Sequence, residues 1–86
     1  MSDTANDIID LLPDDFESMH NMLNEYPIKL LKDIRNTLTQ GVEFNSDEDY
    51  EDFLTVISIK HAMILRICDE LIKKKEEEHS KKYHLN

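Results

Sequence analysis

The sequence predicts an all-α protein: an antiparallel helical hairpin with a short N-terminal helix, dimerising into a helical bundle. Three observations predict it. The 86 residues include one glycine and two prolines, too little punctuation for the tight turns of a sheet. Leu, Ile, Lys, Glu and Asp are abundant and Trp is absent, a composition suited to helices. The longest apolar-periodic stretch, residues 50–74, repeats Phe53, Leu54, Ile57, His61, Ile64, Leu65, Cys68, Leu71 and Ile72 at the i, i+3, i+4, i+7 spacing of one helix side.

In chain order, residues 1–12 form an N-terminal segment. Its first six residues are small and polar and are expected to fray. Ile8, Ile9, Leu11 and Leu12 then make a short helix that stops before Pro13, because a residue preceding proline is pushed out of the α region. Residues 13–74 are the hairpin core. Pro13 suits the first position of helix 13–39, where its missing N–H costs nothing, and Asp14, Asp15 and Glu17 favour the positive end of the helix dipole. Phe16, Met19, Leu23, Tyr26, Leu30, Ile34 and Leu38 keep phase across Pro27, so this helix is kinked or broken there with one face inward.

Gly41 is the natural terminator, and residues 42–45 make a short connector. Ser46 then caps helix 47–74, with Asp49 three residues on and Phe44 placed to fold back on Tyr50. Inside the hairpin, Phe53, Ile57, Ile64 and Leu71 are expected to face Leu30, Ile34 and Leu38. Met19, Met22 and Met63 stand at helical spacing as core filler. Residues 75–86 are a charged helical extension and tail, supported by the Glu77/Lys81 and Glu78/Lys82 pairs at i, i+4.

Val56, Ile59, Met63 and Ile67 widen the apolar arc of the last helix to roughly 200°, when one flat contact needs about 100°. These four residues are the expected partner or dimer interface. A core at this length supplies only about 3–5 kcal/mol. The lone Cys68 cannot close an intramolecular disulfide, and no Cys/His group has zinc-site spacing. Self-association as a homodimer is therefore the expected source of further stability.

The formal net charge is −9, with 19 acidic and 10 basic residues. Residues 1–52 carry net −11 and residues 53–86 net +2. Such a chain repels nucleic acid, so no direct nucleic-acid binding is expected, and it favours a basic protein partner. Asp14, Asp15, Glu43, Asp47, Glu48, Asp49, Glu51 and Asp52 form the candidate acidic face. A calcium loop aligned on Asn45, Asp47 and Asp49 puts Tyr50 where glycine is needed and Val56 where a bidentate Glu is needed. Neither metal nor cofactor is expected.

His61 and Cys68 lie two turns apart on one helix side, about 10 Å along the axis, too far for a thiolate–imidazolium pair. Both read as packing residues, with His20 placed to reach one of them. No P-loop, G-x-S-x-G, H-E-x-x-H or dinucleotide fingerprint is present, so no catalytic residue is assigned. No apolar run reaches the ~18 residues of a membrane span. The N-terminus is acidic where a secretory signal would be basic, so an intracellular location, cytoplasmic or nuclear, is expected. Together these features predict a small acidic, non-enzymatic protein–protein interaction module: a regulator, an adaptor or a minor subunit of an assembly. The alternative is an inhibitor that mimics nucleic acid and fills the basic groove of a DNA- or RNA-binding protein.

Overall fold

Local backbone chemistry divides both of the long helices expected from the apolar spacing. The computed structural model describes residues 3–84 and has five helices: α1 (Asp3–Leu11), α2 (Phe16–Asn24), α3 (Ile28–Thr39), α4 (Asp47–Val56) and α5 (Ile59–His84). The described residues contain no strand, so the chain is all-helical. Residues 1–2 and 85–86, parts of the expected frayed start and tail, lie outside the described residues. Helix α1 takes in Asp3 to Asn6, where the small polar sequence predicts fraying, and it buries Ala5 against the core.

Helix α2 starts at Phe16 and not at Pro13. Asp15 is extended (φ −76°, ψ 128°) and its carboxylate accepts the Ser18 N–H at 2.9 Å, the geometry of an N-cap. That backbone hydrogen bond holds the Asp15 carboxyl below its ordinary value. The following break falls at Pro27, which is extended (φ −69°, ψ 160°) and cannot donate a helical hydrogen bond. Lys75 Nζ reaches across from α5 and donates to the carbonyls of Asn24 at 2.9 Å and Tyr26 at 2.8 Å. A cation thus sits at the negative end of α2, where orphan carbonyls collect.

Helix α3 ends on two successive left-handed residues, Gln40 (φ 55°) and Gly41 (φ 75°). The Gly41 N–H closes the turn on the Asn36 carbonyl at 3.1 Å. A Cβ on Gly41 would meet only Asn36 Oδ1 at 3.8 Å, so glycine is needed there for its backbone freedom and not for space. Ser46 caps α4 as its spacing predicts, accepting the Asp49 N–H at 3.2 Å.

The main seam joins α3 to α5, with α1 lying on α3 and α2 on α5. Lys32 pairs with Glu76 at 2.9 Å and Arg35 with Asp69 at 2.6 Å, so numbering falls on α5 as it rises on α3 and the two helices run antiparallel. Leu31 and Ile34 from α3, Met19 and Leu23 from α2, and Ile64, Ile67, Cys68 and Leu71 from α5 fill one core, each nearly or wholly inaccessible. Burying a Leu or Ile side chain contributes about 1.5–3 kcal/mol. Of the residues expected inside, Ile34, Ile64 and Leu71 are buried, whereas Leu30, Leu38, Phe53 and Ile57 are half-buried. Helix α4 packs more lightly: its buried residue is Leu54, and Phe44 anchors it in an aromatic cluster, 5.1 Å from Tyr50 and 5.2 Å from Phe53 between ring centres.

Candidate interaction surface

The expected helix 47–74 is interrupted at Ile57–Ser58. Thr55, Val56 and Ile57 are consecutive β-branched residues, which lose side-chain freedom in a helix and weaken it. Ile57 turns extended (φ −97°, ψ 173°). Ser58 restarts the helix: its hydroxyl accepts the His61 N–H at 3.1 Å and its carbonyl accepts the Ala62 N–H at 2.9 Å. The result is an elbow between α4 and α5 with Val56 79% and Ile59 82% exposed, the two most exposed large apolar side chains of the described residues.

The elbow changes the interface expected from sequence. Ile67 is 1% exposed and belongs to the chain's own core, and Met63 is half-buried against that core. The four-residue outward stripe presumed an unbroken helix 47–74. With the break at Ile57, only Val56 and Ile59 of the four face outward. Ile57, between them in the chain, instead lines an open cleft of about 390 Å³ together with Ile9, Leu38, Val42, Phe53 and His61, with Asn6, Asp10 and Gln40 among its polar lining. Val42, itself half exposed, extends the apolar surface away from the elbow.

All eight residues of the candidate acidic face are exposed, but they do different work. Asp15 caps α2. Asp14 lies 3.6 Å from Lys60, and Glu51 accepts from Arg66 at 2.9 Å, so both are held to α5. Asp47, Glu48 and Asp49 occupy the first turn of α4, where the helix dipole favours anions. Glu43 lies in the connector, and Asp52 lies beyond the first turn of α4.

A polar network missed by the sequence reading fixes α4 to the α3–α5 seam. Asp69 receives the Arg35 Nε at 2.6 Å on one oxygen and the Tyr50 hydroxyl on the other. The Arg35 guanidinium also stands 5.7 Å from the Tyr50 ring centre, within cation–π range. Burial first, and then the hydrogen bond to Asp69, raises the Tyr50 phenol well above its ordinary 10.0. The only sequence signal was a Tyr in an acidic run with an Arg and an Asp elsewhere on apolar-periodic helices, and nothing in their spacing joins them.

His61 and Cys68 do not form a pair. His61 lines the cleft, Cys68 is wholly buried, and His20 stacks on Phe16 with ring centres 6.5 Å apart. Burial, with the Asp69 charge adding to it, pushes the Cys68 thiol up to about 12, so it is protonated at neutral pH. Among the described residues no three His, Cys, Asp or Glu side chains gather as a metal site would need, and no helix is long and apolar enough to cross a membrane. No protein-family model, curated protein or solved structure matches the chain.

Proposed function

We propose that this chain is a small, acidic, non-enzymatic interaction module, a regulator, adaptor or minor subunit, that docks on another protein through the α4–α5 elbow. The observation that carries this reading is the exposure of Val56 and Ile59, 79% and 82%, beside a core that the rest of the chain already closes. Leaving two large aliphatic side chains in water forgoes free energy that a partner would recover. The two-residue elbow is a smaller contact than the four-residue stripe on which the homodimer expectation stood, so a heterologous partner is the favoured occupant. The nucleic-acid mimic has less support: of its acidic face, Glu51 pairs with Arg66 and Asp14 lies near Lys60, and Asp15 serves as a cap.

The test is affinity capture with the intact chain and with a Val56→Ser/Ile59→Ser variant, each at low and high salt. A partner docked on the elbow persists at high salt with the native chain and is lost from the variant, because apolar contacts are little screened. Recovery of the same proteins by both chains overturns the reading. A set of nucleic-acid-binding proteins released from both by salt alone favours the mimic.

A further inference from the structure

Glu48, Asp52 and Val56 stand at i, i+4 and i+8 on α4, one row of exposed side chains about 12 Å long at a rise of ~1.5 Å per residue. Neither Glu48 nor Asp52 is in an ion pair among the described residues, although Glu51 beside them is taken by Arg66 at 2.9 Å. The helix dipole accounts for Glu48 in the first turn but not for Asp52. Like charges one turn apart weaken a helix, so α4 carries a repulsion that no ion pair among the described residues relieves. The row runs into Val56 and, across the break, Ile59. The cleft that Phe53 and Ile57 of the same segment line is bordered by Asp10 and has no Lys or Arg in its lining. Lys60, the cation next to Ile59, is drawn toward Asp14.

We infer that the occupant of the elbow is a basic amphipathic helix of another protein, with an apolar side chain seated on Val56 and Ile59 and Lys or Arg against Glu48 and Asp52. This rests on the docking reading above and adds the chemistry of the partner. A second copy is a poorer occupant than a basic helix, because it brings the same Glu48–Asp52 row and no row of Lys or Arg to set against it. An uncharged helix would desolvate the carboxylates without pairing them.

The probes are two synthetic helical peptides with the same leucine face, one with lysine and one with glutamate on the polar face. Each is titrated into the full-length, isotope-labelled chain while amide shifts are followed. The lysine peptide shifts Glu48, Asp52, Val56 and Ile59 saturably, and the glutamate peptide does not. Glu48→Gln/Asp52→Asn weakens binding at least about tenfold and flattens its salt dependence, and Val56→Ser/Ile59→Ser weakens it as much. Glu77→Gln/Glu78→Gln, a control that removes the same charge from α5, leaves it unchanged. Equal affinity for the two peptides overturns the inference and leaves the docking reading standing. Shifts away from the elbow, equal loss with the control, or dimerisation through the elbow in sedimentation also overturn it. The docking reading fails by a separate result, unchanged capture by the Val56→Ser/Ile59→Ser chain.

Discussion

Arg35 and Asp69 meet across the antiparallel α3–α5 seam, Nε to Oδ1 at 2.6 Å, and the second oxygen of the same carboxylate accepts the Tyr50 hydroxyl of α4. One carboxylate therefore ties three helices. Its side chain is 33% exposed and that of Arg35 41%, so solvent screens part of the attraction and the pair falls between surface and buried cases. Asp69→Ala is expected to cost about 1–2 kcal/mol in urea unfolding, with Asp69→Asn milder because it keeps an acceptor. Stability unchanged in Asp69→Ala would show that α4 is held by Leu54, its aromatic contacts and the Glu51–Arg66 pair without this carboxylate.

Stability is expected to fall at alkaline pH, through Tyr50 of this network and the buried Cys68, next to Asp69 in sequence. Burial, and then the hydrogen bond to Asp69, raises the folded Tyr50 phenol above 10.0, and burial raises the Cys68 thiol from 9.0 to about 12. Above those ordinary values the unfolded chain releases protons that the folded chain keeps, so the stabilisation present at lower pH is lost as pH rises toward the folded values. Urea midpoints are expected to decline beyond pH 9.0. Tyr50→Phe should remove the part of the decline that begins at 10.0. In parallel, Cys68 should resist thiol reagents in the native chain and react promptly in urea.

The apolar spacing puts Ile67 and Val56 on one outward stripe, and the structure separates them into core and elbow. Ile67→Ala is expected to cost about 2–5 kcal/mol, as a cavity opens beside Ile64 and Leu71. Val56→Ser should change stability by no more than about 0.5 kcal/mol. Equilibrium unfolding of the two variants decides it, and comparable losses would place both residues on one surface.

How much was legible follows from which forces leave a mark in sequence. The Ser46 cap, the termination around Gly41, the contact of Phe44 with Tyr50 and the burial of Leu23, Ile34, Ile64 and Leu71 all came from spacing or local turn chemistry. Asp15 could have been read as the N-cap, with the helix beginning at Phe16 and not at Pro13, since Ser18 follows at the capping distance. The elbow was hidden because the apolar period continues in phase from Phe53 and Ile57 to His61 and Ile64. Its signals were the β-branched run and a serine in mid-helix. The Arg35–Asp69–Tyr50 network spans 34 residues between Arg35 and Asp69 and has no local signature at all.

Ser58 is what restarts the chain as α5, so the elbow should respond to its hydroxyl. Ser58→Ala removes the acceptor of the His61 N–H and is expected to cost about 1 kcal/mol, while Ser58→Asp retains the cap. Amide exchange at His61 and Ala62 should quicken in the alanine variant only. Unchanged exchange there would mean that the elbow is imposed by packing and not by the cap.

Lys75 has the corresponding role at the other interruption. Its ammonium donates to the carbonyls of Asn24 and Tyr26 at 2.9 and 2.8 Å, just where Pro27 prevents α2 from continuing into α3. Lys75→Met keeps the aliphatic stem and removes the donors, so packing is preserved and the hydrogen bonds are not. Water can reach the Asn24 carbonyl, but the contact at Tyr26 is partly buried. The expected cost is therefore about 1 kcal/mol for one hydrogen bond left unmade, and not twice that. Exchange should quicken in the last turn of α2 and leave the α3–α5 seam as before. Lys75→Arg should recover most of the loss, because a cation would again face the negative end of α2. If Lys75→Met unfolds at the native midpoint, α2 is held by Met19 and Leu23 alone.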